Sequence, residues 1–504
     1  MKYGFLFGAG AEAGYGLPSG GEFALEIFRR DQSNSKKEFK EMRKKVDPTT
    51  TYAYSWLPKD YRDKNISCFG KSVFLNIIKD TVEHNRNSII EKLNNFDTIA
   101  EKVVQAMYND RIYVNETIEQ LLGRTIENTH YGQNFSFIDE FKQGNELFDC
   151  SYFSALLLLY KNKKMETHDQ RNELGKILMS IMQLHIGALS ENLTRKINDG
   201  VFEKKDDEID LFDDLGEIIQ LNYSAAGLQG MEYLLEQRIN ECETASEICL
   251  SFAQRMVREI YSVVLDYKSL IDTNWHYLYS PSSDWAKFCK ICIFLLNVRE
   301  YITEMAETAK IDKHHGYYHR VKEAADSGKF ELSAVATTNY NNFIEKILDT
   351  EIAYLNGSTE IWYDPYLNRM GSREELDTDE HHILVPLLFT QSGTKPMTAI
   401  EMSEKYVETY HKWKEADKIV VVGFGFGVDD EHINGILRTL IDKFDKKIVV
   451  VTLKSDKSDK ECSNDIGRKL KIEKKSNISV VQVEKNGMLY DGSGKSWIDC
   501  LGEN

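Results

Sequence analysis

The sequence predicts an α/β protein whose parallel sheet is interrupted by a large α-helical insertion. Short apolar runs alternate with helical segments at both ends of the chain, glycine-rich loops follow some of these runs, and the middle carries helical periodicity. Short buried strands that alternate with helices are typical of a parallel sheet. We therefore expect residues 1–34 and 326–504 to form one sheet domain and residues 35–325 to form the inserted helical domain.

The two ends of the chain share the order strand, loop, helix. At the N-terminus, the apolar run at residues 3–7 leads into the loop FGAGAEAGYGLPSG, and the helical pattern GGEFALEIFRR follows. After about residue 330 the predicted strands are residues 332–336, 383–389, 419–422, 448–452 and 478–483. Together these runs predict five or six parallel strands.

The middle of the chain predicts helices. The segments FDTIAEKVVQAMY, ETIEQLLGRTIEN, ELGKILMSIMQLHIGALSENLTRKI and AQRMVREIYSVVLDY place apolar residues three and four positions apart. This spacing puts the apolar side chains on one face of a helix. A large helical domain of this kind is suited to contacts between subunits or with a partner protein.

The charge balance disfavours direct binding to nucleic acid. The 504-residue chain has a formal net charge of −17, so its surface repels phosphate backbones. The runs KKEFKEMRKK near residue 36 and KLKIEKK near residue 469 contain both signs of charge. We interpret each run as a solvated helix face.

The remaining composition predicts a cytoplasmic protein. The N-terminal apolar stretch is too short for a signal peptide, and the longest apolar segments suit buried helices rather than membrane spans. We therefore expect the eight cysteines to be reduced thiols. Cys289 and Cys292 form a CxxC, but they lie in the helical pattern WAKFCKICIFLLNV without a second CxxC, so we expect core cysteines and no metal site.

Two glycine loops point to a nucleotide site. Gly8, Gly10, Gly14 and Gly16 follow the first strand, and Gly423, Gly425 and Gly427 follow the run at residues 419–422. Glycines allow a backbone to approach a pyrophosphate closely, and helix N-terminal amides can meet its charge. Tight strand-to-helix turns also use glycine for purely steric reasons, so the loops alone leave both explanations open.

The segment VATTNYNNFIEKIL adds polar side chains at a strand end. Thr337, Thr338 and Asn339 end a predicted strand, and polar side chains at this end of a parallel sheet point into the crevice where nucleotides bind. The alternative is that Asn341 or Asn342 only starts the following helix.

Taken in order, the motifs GAGAEAGYGLPSG, TTNYNNFIE, LNGS and VVVGFGFGVDD resemble the sirtuin-like (Sir2-type) domains of bacterial anti-phage proteins that degrade NAD. The resemblance implies a Rossmann-like fold with NAD as substrate. It places Asn339 against the nicotinamide ribose or the attacking water. The cofactor-binding residues that we predict on this basis are Gly8, Ala9, Gly10, Gly16, Pro18, Thr337, Thr338, Asn341, Gly423, Gly425 and Asp429.

This sequence departs from the family pattern at two positions. The family has a His before the Gly of the third motif, where this chain has Asn356, and Asn341 stands where an Asp is usual. An amide cannot act as a base, whereas a His can take a proton near neutral pH. Either catalysis proceeds by positioning and electrostatics, or another residue supplies the base; the candidates are His315, His319, His381, His382 and His432.

The resemblance implies an NAD glycohydrolase of a defence system, which cleaves NAD to nicotinamide and ADP-ribose. We predict Asn339, Asn356, His382 and His315 as its catalytic residues. The chain lacks the two CxxC pairs that bind zinc in sirtuin deacylases, which argues against protein deacylation. The alternative is a sensor or assembly subunit that binds NAD or ADP-ribose without turnover. The large helical insertion leads us to expect a homo-oligomer, and the resemblance suggests a HerA-type ATPase as a partner.

Overall fold

The structure is a computed structural model. It describes residues 1–12, 15–17, 20–70, 82, 85–109, 111–130, 146–188, 208–210, 220–222, 228–236, 242–262, 264, 267–309, 316–377, 379–388, 399–427, 430–454, 457–484, 487–489 and 494–501. The chain divides into two compact units. The first unit comprises Met1–Ser19, Arg30–Phe69 and Lys268–Asn504, and the second comprises Gly20–Arg29 and Gly70–Tyr267.

Helices and strands are numbered in chain order. The helices are α1 (Gly20–Arg29), α2 (Ser33–Lys45), α3 (Arg86–Asn94), α4 (Phe96–Asn109), α5 (Val114–Leu122), α6 (Ser151–Lys161), α7 (His168–Ala188), α8 (Leu228–Glu236), α9 (Ala245–Tyr261), α10 (Tyr267–Asn274), α11 (Trp285–Thr308), α12 (Tyr317–Asp326), α13 (Phe343–Leu348), α14 (Arg373–Leu376), α15 (Ile400–Glu415), α16 (Glu431–Phe444), α17 (Asp459–Leu470) and α18 (Trp497–Cys500). The strands are β1 (Lys2–Phe7), β2 (Glu208–Asp210), β3 (Gln220–Asn222), β4 (Glu331–Thr337), β5 (Ile352–Tyr354), β6 (Gly357–Asp364), β7 (Arg369–Gly371), β8 (Val385–Leu388), β9 (Lys418–Val422), β10 (Lys447–Leu453) and β11 (Ile478–Val483).

A six-stranded parallel sheet forms the centre of the first unit. Its order is β5-β4-β1-β9-β10-β11, and every neighbouring pair runs parallel. Numbered by their order in the chain, these strands follow 3-2-1-4-5-6, which is the order of Rossmann-type sheets. The prediction that the N-terminal strand joins the C-terminal strands in one parallel sheet is confirmed, because β1 pairs with β9.

The sequence explains why β1, β9 and β10 occupy the interior of the sheet. Their apolar residues are buried on both sheet faces, which is typical of parallel strands covered by helices. On one face, Trp413 of α15 is fully buried, and its indole N–H donates to the carbonyl of Ala334 in β4, 3.3 Å away. The core therefore surrounds the strands whose ends carry the candidate site.

One predicted strand does not belong to the parallel sheet. The apolar run at residues 383–389, of which residue 389 lies outside the described residues, contains β8. This strand pairs antiparallel with β6 in a separate three-stranded sheet that also contains β7. An apolar run indicates that a strand is buried but not in which direction it pairs, so the sequence could not distinguish a parallel strand from an antiparallel one. The sixth parallel strand is instead the short β5, which the sequence pattern did not predict.

The domain boundaries also differ from those expected at residues 34 and 325. Helices α2 and α11 pack against each other in the first unit, and α11 packs on β8. Helix α1 belongs to the second unit, although it directly follows the first glycine loop. Helical periodicity does not reveal which unit a helix packs against, and this explains the difference.

The second unit is largely helical among its described residues. Helix α7 packs against α9, and the Tyr261 hydroxyl donates to the carbonyl of Ser180, 3.0 Å away. The described parts of the four segments with helical periodicity lie largely in α4, α5, α7 and α9, although α5 ends at Leu122. Residues 189–197, 263 and 265–266 of these segments lie outside the described residues. Helix α9 begins with a capping box between Thr244 and Glu247.

Cys289 and Cys292 are buried in α11, as expected for core cysteines. Burial raises the pKa of the Cys289 thiol to about 12. In the part of the chain that the structure describes, no helix is both long enough and apolar enough to cross a membrane.

Candidate functional site

The candidate site lies where β1 and β9 end side by side. The sheet extends from β1 through β4 and β5 on one side and through β9, β10 and β11 on the other. The strand order therefore reverses between β1 and β9. In parallel sheets, nucleotides bind in the crevice at such a reversal, outside the carboxyl ends of the strands. The two glycine loops directly follow β1 and β9, so the topology brings them together at this point.

The two glycine loops are joined by backbone hydrogen bonds. The Gly8 amide donates to the carbonyl of Val422 and the Gly10 amide donates to the carbonyl of Gly423, each at 2.9 Å. Each of these amides thus already has a backbone acceptor, and their predicted role as pyrophosphate donors stays a prediction. The neighbouring Ala9 is exposed.

Close approach of these loops explains their glycines sterically. A Cβ on Gly10 would lie 2.8 Å from the Gly423 Cα. Gly423 itself has φ of +63°, and a Cβ there would lie 2.3 Å from the amide nitrogen of Ala11. By contrast, a Cβ on Gly425 would meet no atom within 4 Å. Gly8, Gly10 and Gly423 therefore allow the two backbones to approach each other closely, whereas a side chain would have room at Gly425.

Glu12 is the buried acid of the first glycine loop. A short 3-10 turn at Ala9–Ala11 precedes it, and the residue is 6% exposed. Its carboxylate accepts hydrogen bonds from the Tyr318 hydroxyl at 3.0 Å and from the Asn341 side-chain amide at 2.8 Å. Burial raises the pKa of Glu12 to about 7, against the opposing effect of hydrogen bonds from Asn341, Tyr318 and Asn339. Glu12 can therefore gain or lose a proton near neutral pH.

Asn339 links the end of β4 to the first glycine loop. Its side-chain amide group donates to the Gly8 carbonyl at 3.1 Å and lies 3.2 Å from the Tyr318 hydroxyl oxygen, to which it also donates. Thr337, two residues earlier, donates from its hydroxyl to the Phe7 carbonyl at 3.2 Å. Asn339 is thus fixed at the carboxyl edge of the sheet and is 7% exposed. We call Glu12, Tyr15, Tyr318, Asn339 and Asn341, which contact one another here, the Glu12 cluster.

Asn341 does more than start the following helix, and its predicted contact with a nucleotide stays a prediction. Its side-chain oxygen accepts from the Phe343 amide at 3.0 Å at the start of α13, which is the helix-starting role. Its side-chain nitrogen donates to Glu12. The Asn that replaces the usual Asp therefore supplies a donor to a carboxylate, which an ionised Asp could not do.

Asn356 lies at the same edge of the sheet, after β5. It is fully buried, and its side-chain nitrogen donates to the Thr338 carbonyl at 3.3 Å. The following Gly357 has φ of +80°, and a Cβ there would lie 1.9 Å from the Leu387 carbonyl oxygen. Asn356 and Asn339 are thus both joined to the end of β4.

His382 lies in a different cluster, at the antiparallel sheet. Its Nδ1 is 2.6 Å from Asp364 Oδ2 and its Nε2 is 3.0 Å from Glu380 Oε2, while its ring lies against Tyr52 with centroids 4.0 Å apart. Burial lowers the pKa of His382, but the hydrogen bonds to Asp364 and Glu380 raise it by more, so the pKa lies above its usual value. Asp364 ends β6 of the small sheet, and none of these partners belongs to the Glu12 cluster.

The other candidate histidines have separate surroundings. His319 Nδ1 is 3.1 Å from the Tyr15 hydroxyl, which also accepts from the Tyr318 amide at 3.0 Å. His381 pairs with Asp377, and the ring of His432 meets Tyr406 edge-on. Among the described histidines named as candidate bases, His319 is the one whose contacts reach the Glu12 cluster. His315, Pro18 and Asp429 lie outside the described residues.

Sequence reasoning missed three residues of the cluster. Glu12, Tyr15 and Tyr318 are buried together, with the two tyrosine rings stacked at 5.4 Å between centroids. The sequence did contain a signal for their burial. An acid within a glycine loop and two adjacent tyrosines before a predicted strand are unusual if these side chains are exposed to solvent. Their contact depends on the fold and could not be deduced from the loop alone.

The chemistry available at this site is hydrogen bonding with one proton acceptor. Amides, phenols and one carboxylate surround the end of β4, and such groups can hold ribose hydroxyls or a water molecule. Among the described residues, no group of three or more His, Cys, Asp or Glu side chains is arranged to hold a metal ion.

Comparison with known proteins identifies no relative. No family model matches the chain, and neither a curated protein nor a solved structure matches it.

Proposed function

We propose that the chain binds NAD in the crevice at the ends of β1 and β9 and hydrolyses it to nicotinamide and ADP-ribose. The observation that carries this proposal is the cluster of Glu12, Asn339 and Tyr318 at the point where the strand order of a Rossmann-type sheet reverses. The four motifs that resemble sirtuin-like domains supply the substrate and the reaction. They also support a role in anti-phage defence in the cytoplasm.

In this proposal Glu12 replaces the missing histidine as proton acceptor. The bond between the nicotinamide nitrogen and the ribose carbon breaks, and its electron pair stays with nicotinamide. A water oxygen forms a bond to the same carbon, and the proton that the water loses goes to the Glu12 carboxylate. A pKa of about 7 suits this task, because a general base works best with a pKa near the working pH.

Asn339 would position the water and a ribose hydroxyl. Its two amide hydrogens are donated to Gly8 and Tyr318, which holds the side chain in one orientation and leaves its oxygen to accept from water and ribose hydroxyls. Asn356, whose side chain is directed to the Thr338 carbonyl, would line the same edge without acting as a base.

The alternative is a sensor or assembly subunit that binds NAD or ADP-ribose without cleaving it. Asn356 in place of the family histidine supports this alternative. Either function is compatible with a homo-oligomer and with a HerA-type ATPase partner, which the resemblance suggests.

Incubation of the purified chain with NAD separates the two functions. Nicotinamide and ADP-ribose should appear, and Asn339→Ala should lower the rate at least ~100-fold while most NAD binding remains, as expected for a lost positioning group. Asn356→Ala, at the same edge of the sheet, serves as the matched control and should lower the hydrolysis rate less than Asn339→Ala does.

Two results would contradict the proposal that the chain hydrolyses NAD. Equal rates for wild type and a folded Asn339→Ala variant would remove Asn339 from the mechanism. NAD binding without turnover, with and without a candidate ATPase partner, would leave the sensor as the explanation.

A further inference from the structure

A second candidate binding site lies in the charge run near residue 36. A cavity of about 310 Å³ is lined by α2 and by the segment at residues 63–66. The residues of α2 that line it are Lys36, Lys40 and Arg43. From the sequence alone this run is interpreted as a solvated helix face, and a cavity at that face needs a different explanation.

The cavity concentrates positive charge on an acidic chain. Its lining contains four cations, Lys36, Lys40, Arg43 and Lys64, and one acid, Asp63. Beside it, Asp60 pairs with Lys64 at 3.1 Å, so three of the cations have no carboxylate partner within 4 Å among the described residues. Like charges four residues apart destabilise a helix, and a bound anion would offset that cost.

Arg43 distinguishes this cavity from a patch of surface charge. The residue is 7% exposed, and its Nη1 donates to the Lys64 carbonyl at 2.6 Å. Its Nε is buried and has no hydrogen-bond partner among the described residues. An unpaired buried donor costs about 1–3 kcal/mol, more on a charged group. Arg43 is therefore held by the protein at the wall of the cavity, unlike the exposed Lys44 and Lys45 of the same helix.

We propose that this cavity binds a small molecule through its phosphate groups. Arginine offers several donors in a plane that matches phosphate oxygens, and lysines add charge around it. A cavity of this volume admits a phosphate chain or a nucleotide but encloses no macromolecule. The site is built from residues other than those of the Glu12 cluster, so the proposal is independent of NAD hydrolysis.

Calorimetric titration of the full chain with inorganic pyrophosphate tests the proposal. The variant with both Lys36→Gln and Lys40→Gln should bind pyrophosphate at least tenfold more weakly than wild type. The matched control combines Lys44→Gln with Lys45→Gln, which removes the same charge from exposed positions of the same helix outside the cavity. Its affinity should change less than threefold.

A second titration with ATP identifies the source of the phosphate. Tighter binding of ATP than of pyrophosphate, lost in the Lys36 and Lys40 variant, would indicate a nucleotide, whereas equal binding would indicate recognition of the phosphate chain alone. Arg43→Lys, which keeps the charge but not the planar donors, should also weaken binding. Equal losses in both double variants, or no binding of either probe to wild type, would overturn the proposal.

Discussion

Glu12 and Asp364 are both buried acids of the first unit, and their partners differ in charge. Glu12 is surrounded by side-chain amides and the Tyr318 hydroxyl, whereas Asp364 faces His382 at 2.6 Å. With neutral partners, burial raises the pKa of Glu12 to about 7. At the other cluster burial alone would lower the pKa of His382, but the hydrogen bond to Asp364 helps to raise it and so favours the charged form.

The difference separates a site that can exchange protons from one that holds a structure together. Neutral donors compensate a buried carboxylate in part, so its charge changes near the pH at which the protein works. A charged partner acts differently, because the hydrogen bonds and charges of Asp364 and Glu380 raise the pKa of His382 above its usual value. We therefore propose Glu12 for the chemistry and a structural role for His382, which the sequence predicts as a catalytic residue.

The largest effect should come from the contact that holds the Glu12 loop in place. Gly423→Ala would put a Cβ against Ala11 at a positive φ, and we expect it to destabilise the fold by about 3 kcal/mol or more. Gly425→Ala is the matched control, because a Cβ there meets nothing within 4 Å. Urea unfolding of both variants measures the difference, and equal stabilities would show that the two loops do not need this approach.

Stability should depend on pH through Glu12. Its pKa in the folded chain lies above the ordinary value of 4.5, so the folded state binds the extra proton between pH 4.5 and about 7. Stability should therefore fall by about 3 kcal/mol as the pH rises across this range and change little through Glu12 above it.

The Glu12→Gln variant isolates this contribution. Its amide can donate to the Tyr318 oxygen and accept from Asn341, so the fold should be retained. Unfolding free energies measured from pH 4.5 to 8 should decline less steeply for the variant than for wild type. Parallel curves would mean that Glu12 ionises normally.

A smaller effect is expected at His382. His382→Ala should destabilise the chain by about 2 kcal/mol at pH 6, since the buried Asp364 loses its imidazole partner and keeps only the backbone amides of Tyr366 and Leu367. The raised pKa implies stabilisation that is complete below pH 6.5 and is lost as the pH rises through the folded-state value, so the difference should shrink at higher pH.

The control for this variant is His381→Asn at the neighbouring exposed position, where Asn tolerates the positive φ of 51°. Folded His382→Ala should hydrolyse NAD at nearly the wild-type rate. A rate loss of 100-fold or more in folded protein would return His382 to the catalytic residues.

The sequence predicted the parts of the fold that depend on local pattern. The strand at residues 3–7 and the loops around Gly10 and Gly423 were recognisable because short apolar runs meet glycines there. The three-residue β5 was too short to form a pattern, and the direction of β8 is set by its partner β6.

The candidate site was predictable in part for the same reason. Asn339 ends a strand within a matched motif, so its position could be inferred. Glu12 could not be assigned, because the groups that bury it lie 306 and 329 residues away, at Tyr318 and Asn341. Long-range contacts of this kind decide pKa values, and a local pattern does not contain them.

The pH dependence of NAD hydrolysis tests the central claim most directly, with wild type and Glu12→Gln measured side by side. If Glu12 accepts the proton, the wild-type rate should rise with pH, reach half its maximum near pH 7 and then level off. The variant should be at least ~100-fold slower, the scale of a lost general base, and should show no inflection near pH 7. A folded variant with the wild-type rate and the same inflection would contradict the assignment of Glu12 as the base.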